Sequence, residues 1–409
     1  MFVACGDDDG TVGPPADNSP PALLVTHPYD NETGVAVDDS IYVILSEEVD
    51  CSSVTDTTFY IKGGVPADIH CHADTIVLIP VDDLRFDTMY EVHLAGSVAD
   101  MSGNRINVNS VWIFTTESEP PGLSWRFVDV PVSSTESLND VTYSGEAYVA
   151  VGNNGVVVRS IDGESWEKVE SPAELRLYSV HWFDSMFIAV GEGEFIMTSP
   201  DGLDWTVRRQ GHPARTICDV VSTGERYLAV GGHFNQLAQL LPDARTSDDA
   251  VEWQHVDLDF DGWLGDVIWT GLRFVAVGGE DYDRFTIWTS EDGQQWSKVY
   301  ATSGFHFYES ICQSDKLIVA CGGIGQKVLI STDGIYWMPQ PQSHLSGVWD
   351  VEWTGELFVA VGNSGGIITS PDGLNWTRRQ SGVSQSLNGV WGSRERIIAV
   401  GGNKAVVSP

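Results

Sequence analysis

Positive charge is what this sequence most lacks. Its 409 residues carry 22 Lys and Arg against 58 Asp and Glu, a formal net charge of −36. Such a field repels phosphate backbones and anionic headgroups, and it draws in cations or basic partners. No nucleic-acid partner is therefore expected. No apolar run reaches the roughly 18 residues that a membrane-spanning helix needs, so any membrane association has to come from an anchor. Cysteine is sparse, six in all, with no Cys-x-x-Cys pair and no Cys/His cluster at zinc spacing. His-Glu-x-x-His and a phosphate-cradling glycine loop are missing, which removes the usual signatures of zinc proteases and nucleotide enzymes. Paired carboxylates for glycosidic cleavage stay open, because distant acids can converge and this chain has many.

Glycine and tryptophan are abundant instead, 42 and 15 copies, in a chain that is 42% hydrophobic. That composition describes an ordered, turn-rich globular protein, and the length allows two or three domains. Past Pro121 the sequence repeats. An apolar run ending in glycine recurs as YVAVG (148–152), FIAVG (187–191), YLAVG (227–231), FVAVG (274–278), IVACG (318–322), FVAVG (358–362) and IIAVG (397–401). A shorter strand precedes each run. A third strand follows and leads into a turn that ends in tryptophan: SIDGESW (160–166), SPDGLDW (199–205), SEDGQQW (290–296), STDGIYW (331–337) and SPDGLNW (370–376), with SDDAVEW (247–253) carrying Ala250 in place of glycine. Four short strands per period of about 40–45 residues predict a β-propeller, and seven copies predict seven blades. The last copy breaks off at Ser408-Pro409, and its missing half stands upstream as PPGLSW (120–125). The stretch from Trp125 to Val130 is thus expected to pair with the carboxy-terminal strand and close the ring, leaving no open edge.

The Ser-x-Asp-Gly-x-x-Trp turn resembles a shortened Asp-box of sialidase-like and photosystem II assembly-factor-like propellers. In such a turn Asp accepts backbone N–H groups, Gly takes the positive-φ position and Trp packs between blades. Asp162, Asp201, Asp292, Asp333 and Asp372 are accordingly fold residues. Sialidases of similar fold also use three arginines and a Phe/Tyr-Arg-Ile-Pro stretch. The corresponding region here reads SWRFVDVPV (124–132), with Arg126 expected on an outer strand.

Ahead of the repeats, residues 22 to 117 show period-two alternation over seven or so short strands, the pattern of an antiparallel sandwich. THPYDNETGVAVDDSIYVILSEEVD (26–50), LIPVDDLRFDTMYEVHL (78–94) and DMSGN (100–104) before SVWIFTT (110–116) resemble the bacterial Ig-like domains of surface proteins. The resemblance implies a spacer or adhesion module. Residues 1 to 21 form an acidic, proline-rich tether that cannot bury enough surface to order itself. Phe2-Val3-Ala4 before Cys5 resembles the end of a lipoprotein signal, which implies lipidation of Cys5; a plain unordered amino terminus is the alternative. Cys51 with Cys71, and Cys312 with Cys321, are candidate disulfides that only Cα separation can decide. Cys218 then remains as a small buried apolar residue.

The fold expected is all-β, a sandwich at 22–117 followed by a seven-bladed propeller at 118–409 closed by its own ends. Three candidate sites follow. Asp140, Asp219, Asp266 and Asp350 stand at matching positions before the first strands and crowd one mouth of the central channel, able either to hold a cation or basic segment or to bond their own loop backbone. Asp257, Asp259 and Asp261 in DLDFDGW open like a calcium-binding loop, but position twelve is Ile268 instead of glutamate; the alternative is a strand with acids on its wet face. His233, Phe234, Asn235, Trp263, Tyr282, Phe305, His306 and Phe307, on loops of varied length at that mouth, could contact a peptide or glycan. The function expected is non-catalytic: an extracytoplasmic, lipid-anchored scaffold that presents the propeller to a protein partner, or to a glycan, with no cofactor beyond a structural calcium. An assembly factor for a membrane complex and a glycosidase or sialidase-like enzyme are the alternatives.

Overall fold

A computed structural model describes residues 17–133, 135–237, 239–281, 284–303, 309–322, 327–340 and 347–408. The chain divides into two compact units, with the boundary between Glu119 and Pro120.

The first unit is a sandwich of eight strands. Strands β1 (Leu23–His27), β3 (Ile41–Leu45), β6 (Thr75–Pro80) and β5 (Ala67–His72) form one sheet. The other is β2 (Glu32–Val35), β8 (Ser110–Thr116), β7 (Met89–Leu94) and β4 (Phe59–Ile61). Alternation in IYVIL buries Ile41, Val43 and Leu45 while Tyr42 and Ile44 face outward, which places one sheet face on the core. Phe59, Ile76, Leu78, Val92, Trp112 and Phe114 complete that core. Cys51 and Cys71 are bonded, with Cα atoms 5.6 Å apart. The second candidate pair is not: Cys312 and Cys321 are both free and buried. They lie on adjacent strands out of register, Cys312 opposite Val319 and Cys321 opposite Ser310.

The second unit contains seven four-stranded antiparallel sheets. Blades 1 to 6 occupy residues 138–169, 177–209, 215–255, 263–303, 309–339 and 348–380 in chain order. Blade 7 takes three strands from 389–408 and its outer strand from Arg126–Asp129. Lys404 pairs with Asp129, Ala405 with Val128, Val406 with Phe127 and Val407 with Arg126, so the two ends of the unit complete one sheet as the repeat pattern predicts. First strands of consecutive blades touch all the way round, with Gly389–Gly392 against Leu138–Tyr143 at the join.

Each interface between blades is an apolar cluster that contains one turn tryptophan, Trp125, Trp166, Trp205, Trp253, Trp296, Trp337 or Trp376. The turns work as their chemistry demands. Asp162 Oδ1 accepts the N–H groups of Glu164 and Ser165 at 2.8 and 2.7 Å, Ser160 Oγ accepts that of Gly163 at 2.9 Å, and Trp166 Nε1 donates to Gly163 O at 3.1 Å. Glycine ends each apolar run for a different reason. A Cβ on Gly152, Gly191, Gly231, Gly278, Gly362 or Gly401 would lie 2.2 Å or less from a carbonyl oxygen of the segment entering the same blade. That close approach sets the rim of the channel.

Candidate functional site

The first strands surround a cavity of about 1070 Å³. In five blades their register slips just before the recurring Asp or Ser of the repeat, between Leu138 and Asp140, Leu177 and Ser179, Ile217 and Asp219, Leu264 and Asp266, and Val348 and Asp350. A β-bulge re-aims the extra residue. The residues at those slips, Asn139, Tyr178, Cys218, Gly265 and Trp349, all line the cavity, as does Asn388 at the matching place in blade 7. Bulging breaks strand alternation, so period-two reading of the sequence could not find them. The residue directly before each Asp or Ser of the first strand is the signal that was there.

The mouth is held from blade to blade. Asn139 Nδ2 donates to Leu177 O of blade 2 at 2.6 Å, and Asn388 Nδ2 donates to Leu138 O of blade 1 at 2.7 Å. Within blade 6, Trp349 Nε1 donates to Asn363 Oδ1 at 2.8 Å. Arg176 bonds Asn139 Oδ1 at 3.2 Å and lies over the Tyr178 ring, 4.7 Å from its centroid. Trp263 completes an aromatic rim with Tyr178 and Trp349.

Below the rim the structure brings Asp140, Asp219, Asp266 and Asp350 together in the channel wall. Each carboxylate fastens the next blade. Asp140 accepts the N–H of Val180 at 2.8 Å, Asp219 that of Val267 at 3.1 Å, Asp266 that of Ile311 at 2.9 Å and Asp350 that of Val390 at 2.7 Å. Asp140 and Asp350 also take the following N–H of their own strand, from Val141 and Val351. Where the repeat has serine, the hydroxyl donates forward: Ser179 to Asp219 at 2.9 Å and Ser310 to Asp350 at 2.7 Å. Blade 7 has Gly389 there, because a Cβ would stand 2.6 Å from Asp140 Cα. The bonds therefore run mainly to the neighbouring blade and only partly to the residue's own strand.

Two channel residues went unnoticed in the sequence, His181 and Glu352. They sit two positions after Ser179 and Asp350, where the repeat has no consistent residue type. His181 Nε2 lies 2.7 Å from Asp219 Oδ1. Burial pulls its pKa down, but the charge and hydrogen bond of Asp219, then Asp140 and Asp266, carry it well above its usual value. Channel solvent reaches 36% of the His181 side chain and screens the pair. Burial likewise raises Asp219, but His181 more than offsets this and leaves the carboxyl low. Burial and the charge of Asp219 push Asp266 well above the carboxylate range. Burial lifts Asp140 to about 7, against the opposing pull of His181, and lifts Glu352 to about 8 with help from Asp350.

The other candidates lie elsewhere. His233, Phe234 and Asn235 sit on the long hairpin of blade 3, whose strands Tyr227–Phe234 and Leu240–Ser247 pair over their whole length. His233 belongs to a buried charge cluster: Arg245 bonds Glu194 at 2.7 Å and Asp243 at 2.6 Å, Arg215 reaches Asp243 at 3.2 Å, and Arg209 bonds Glu194. Phe234 is 44% exposed, and Asn235 closes the hairpin tip by accepting from Leu237 and Gln239. Asp257, Asp259 and Asp261 are exposed and do not converge on one point. Leu258 and Phe260 between them pack inward, Phe260 stacking on Trp288 at 3.9 Å, so acids and apolar residues alternate, but residues 256–262 form a loop and not the strand of the alternative reading. Among the described residues one carboxylate group has cation-binding spacing, Asp17, Glu47 and Asp100 in the first unit. Asp100 there already accepts the N–H groups of Ser102 and Asn104. Cys5, Tyr282, Phe305, His306 and Phe307 lie outside the described residues.

A family model for a bacterial Ig-like domain matches residues 17–116. No match was found among curated proteins. The chain is similar in fold to the solved structure of YCF48 bound to a D1 peptide, at 16% identity and TM-score 0.54, over 71% of this chain and 99% of that one. It is similar to YCF48 from Cyanidioschyzon merolae, at 18% identity and TM-score 0.52, over 70% and 98%. A chain of a mitotic checkpoint complex matches at 12% identity and TM-score 0.52, over 70% and 94%.

Proposed function

We propose that this protein is a non-catalytic, extracytoplasmic binding scaffold, in which the Ig-like unit serves as spacer and the propeller mouth receives a segment of a partner protein. Lipidation of Cys5 would tether it to a bacterial envelope, as the Phe2-Val3-Ala4-Cys5 stretch suggests. The observation that carries the reading is the mouth itself: a wide cavity rimmed by Trp263, Trp349 and Tyr178, on a frame whose blades are fastened to one another by side chains. Large rigid aromatics beside amides suit an extended polypeptide, since they give contact area at small entropy cost. A glycan would lay the C–H face of a sugar ring on the same aromatics and ranks second. The likeness to YCF48, solved with a peptide bound, supports a peptide-receiving propeller and keeps an assembly factor as the second reading.

A sialidase-like activity has less support. Among the described residues Arg176 is the lone arginine of the cavity wall, and Arg126 lies on the outer strand of blade 7 paired with Glu164. The scaffold reading is tested by quantitative capture from the native envelope with three full-length baits: wild type, Trp349→Ala and Arg208→Gln. A partner held by the wild type and Arg208→Gln but lost from Trp349→Ala supports it. Equal capture by all three rejects the mouth as the site.

A further inference from the structure

We infer that the channel receives one organic cation, the ammonium or guanidinium of a lysine or arginine side chain carried by the bound segment, seated against Glu352; this rests on the reading of the mouth given above. Six carboxyl groups line the cavity, Asp140, Asp219, Asp266, Asp315, Asp350 and Glu352, against Arg176 and His181 as the basic groups. His181 is already committed to Asp219. The four wall aspartates are committed to backbone N–H groups of the next blade. Asp315 is exposed to solvent, and Glu352 is different. Among the described residues no hydrogen-bond donor reaches its carboxyl group, which feels only the charges of Asp350, His181 and Asp140. An acid with free oxygens at the wall of an open channel wants a donor from outside.

A bare metal ion is a poor match for that donor. Carboxylate oxygens of the channel do not gather within one coordination sphere, and the cavity is far larger than an ion. A basic side chain satisfies both facts. Its apolar stem crosses the aromatic rim of Trp263, Trp349 and Tyr178, and its charged head reaches the acids beneath. The chain's net charge of −36 favours the same sign of partner. Burial holds a proton on Glu352 up to about pH 8 and on Asp140 up to about 7 when the channel holds no cation. Arrival of a positive charge lowers both values, so binding near neutral pH releases protons. The titratable groups facing Glu352 are Asp350 on its own strand, Cys312 of blade 5, Asp140 of blade 1 and His181 of blade 2. Burial raises the Cys312 thiol well above its usual range, which keeps it neutral throughout.

A random dodecapeptide library panned on the immobilised full chain provides the test, with Glu352→Gln as the shape-conserving variant. Selected peptides are then titrated calorimetrically in two buffers of different ionisation heat, beside copies in which norleucine replaces the basic residue. The inference expects a basic residue at a fixed position and a loss of roughly tenfold to hundredfold with norleucine. It also expects a similar loss for the basic peptide on Glu352→Gln, no change for the norleucine peptide on that variant, and net proton release at pH 7. Peptides that bind at the mouth without a basic residue, and equally on Glu352→Gln, overturn this inference and leave the scaffold reading standing. Binding of calcium alone that Glu352→Gln abolishes overturns it in favour of a metal site. Selection of no peptide that Trp349→Ala discriminates against overturns both readings.

Discussion

The hydroxyl oxygen of Ser408 accepts the backbone N–H of Gly122 at 2.8 Å, across 286 positions of the chain. The same bond joins Ser160 to Gly163 and Ser199 to Gly202 inside single turns. Trp125 Nε1 then donates to Gly122 O, as each turn tryptophan does to the residue three before it. The seventh turn is therefore assembled from the two ends of the propeller, with Pro121 where the others have aspartate. Ring closure rests on this turn and on the strand ladder next to it.

Ser408→Ala should lower stability by about 1 kcal/mol, the usual net worth of one such bond. Ser160→Ala should cost about the same. Urea unfolding of the two variants checks this. A loss for Ser160→Ala alone would mean that the closing turn is frayed in solution.

Tryptophans of the turns carry more weight than their exposed neighbours. Trp337 is 9% exposed within an interblade cluster, while Tyr336 beside it is 78% exposed. Trp337→Ala is expected to cost about 3–5 kcal/mol. Tyr336→Ala should stay within about 0.5 kcal/mol of wild type. Thermal melts of the pair distinguish buried packing from a merely local turn effect.

Glycines that end the apolar runs should tolerate nothing larger. A Cβ on Gly191 would lie 2.2 Å from Arg176 O, whereas one on Gly224 meets nothing within 4 Å and has only its φ of +85° to contend with. Gly191→Ala should destabilise by about 3 kcal/mol and shift the mouth. Gly224→Ala should cost about 1 kcal/mol. Tryptophan fluorescence, with Trp263 and Trp349 at the rim, should change for the first variant and not for the second.

Glu352 makes stability fall as pH rises. Its folded pKa is about 8 against an ordinary 4.5, so between those values the folded chain holds a proton that the unfolded chain has lost. Asp219 acts in the opposite sense, because its folded value is lowered and its contribution is lost only as pH falls. Between pH 5 and 8 the melting temperature of Glu352→Gln should therefore decline less than that of wild type. Parallel curves would mean that the Glu352 carboxyl is fully hydrated in the channel.

Blade number, strand order and closure were all legible in the sequence, because glycine and tryptophan recur wherever backbone crowding and blade contacts impose them. The four aspartates were legible as a ring, but their bonding was not, since Asp140 takes a backbone donor 40 residues away in Val180. Asn139, Tyr178 and Trp349 escaped notice because a bulge carries them out of the strand's alternation. His181 and Glu352 share no residue type with their counterparts Thr142, Val221, Ile268 and Cys312, so no repeat marks them. Cys312 and Cys321 were close in sequence, but strand register sets them diagonally, and they stay unbonded.

The role of the mouth is tested most directly by photo-crosslinking in the native cell. A benzophenone side chain is placed at position 349 on the channel rim or, for comparison, at position 207 on the outer strand of blade 2, where Val207 is 39% exposed. A discrete adduct with another protein from position 349, and none from position 207, is the predicted result. An adduct from position 207 with none from 349 would contradict the account and move the binding surface to the outside of the ring.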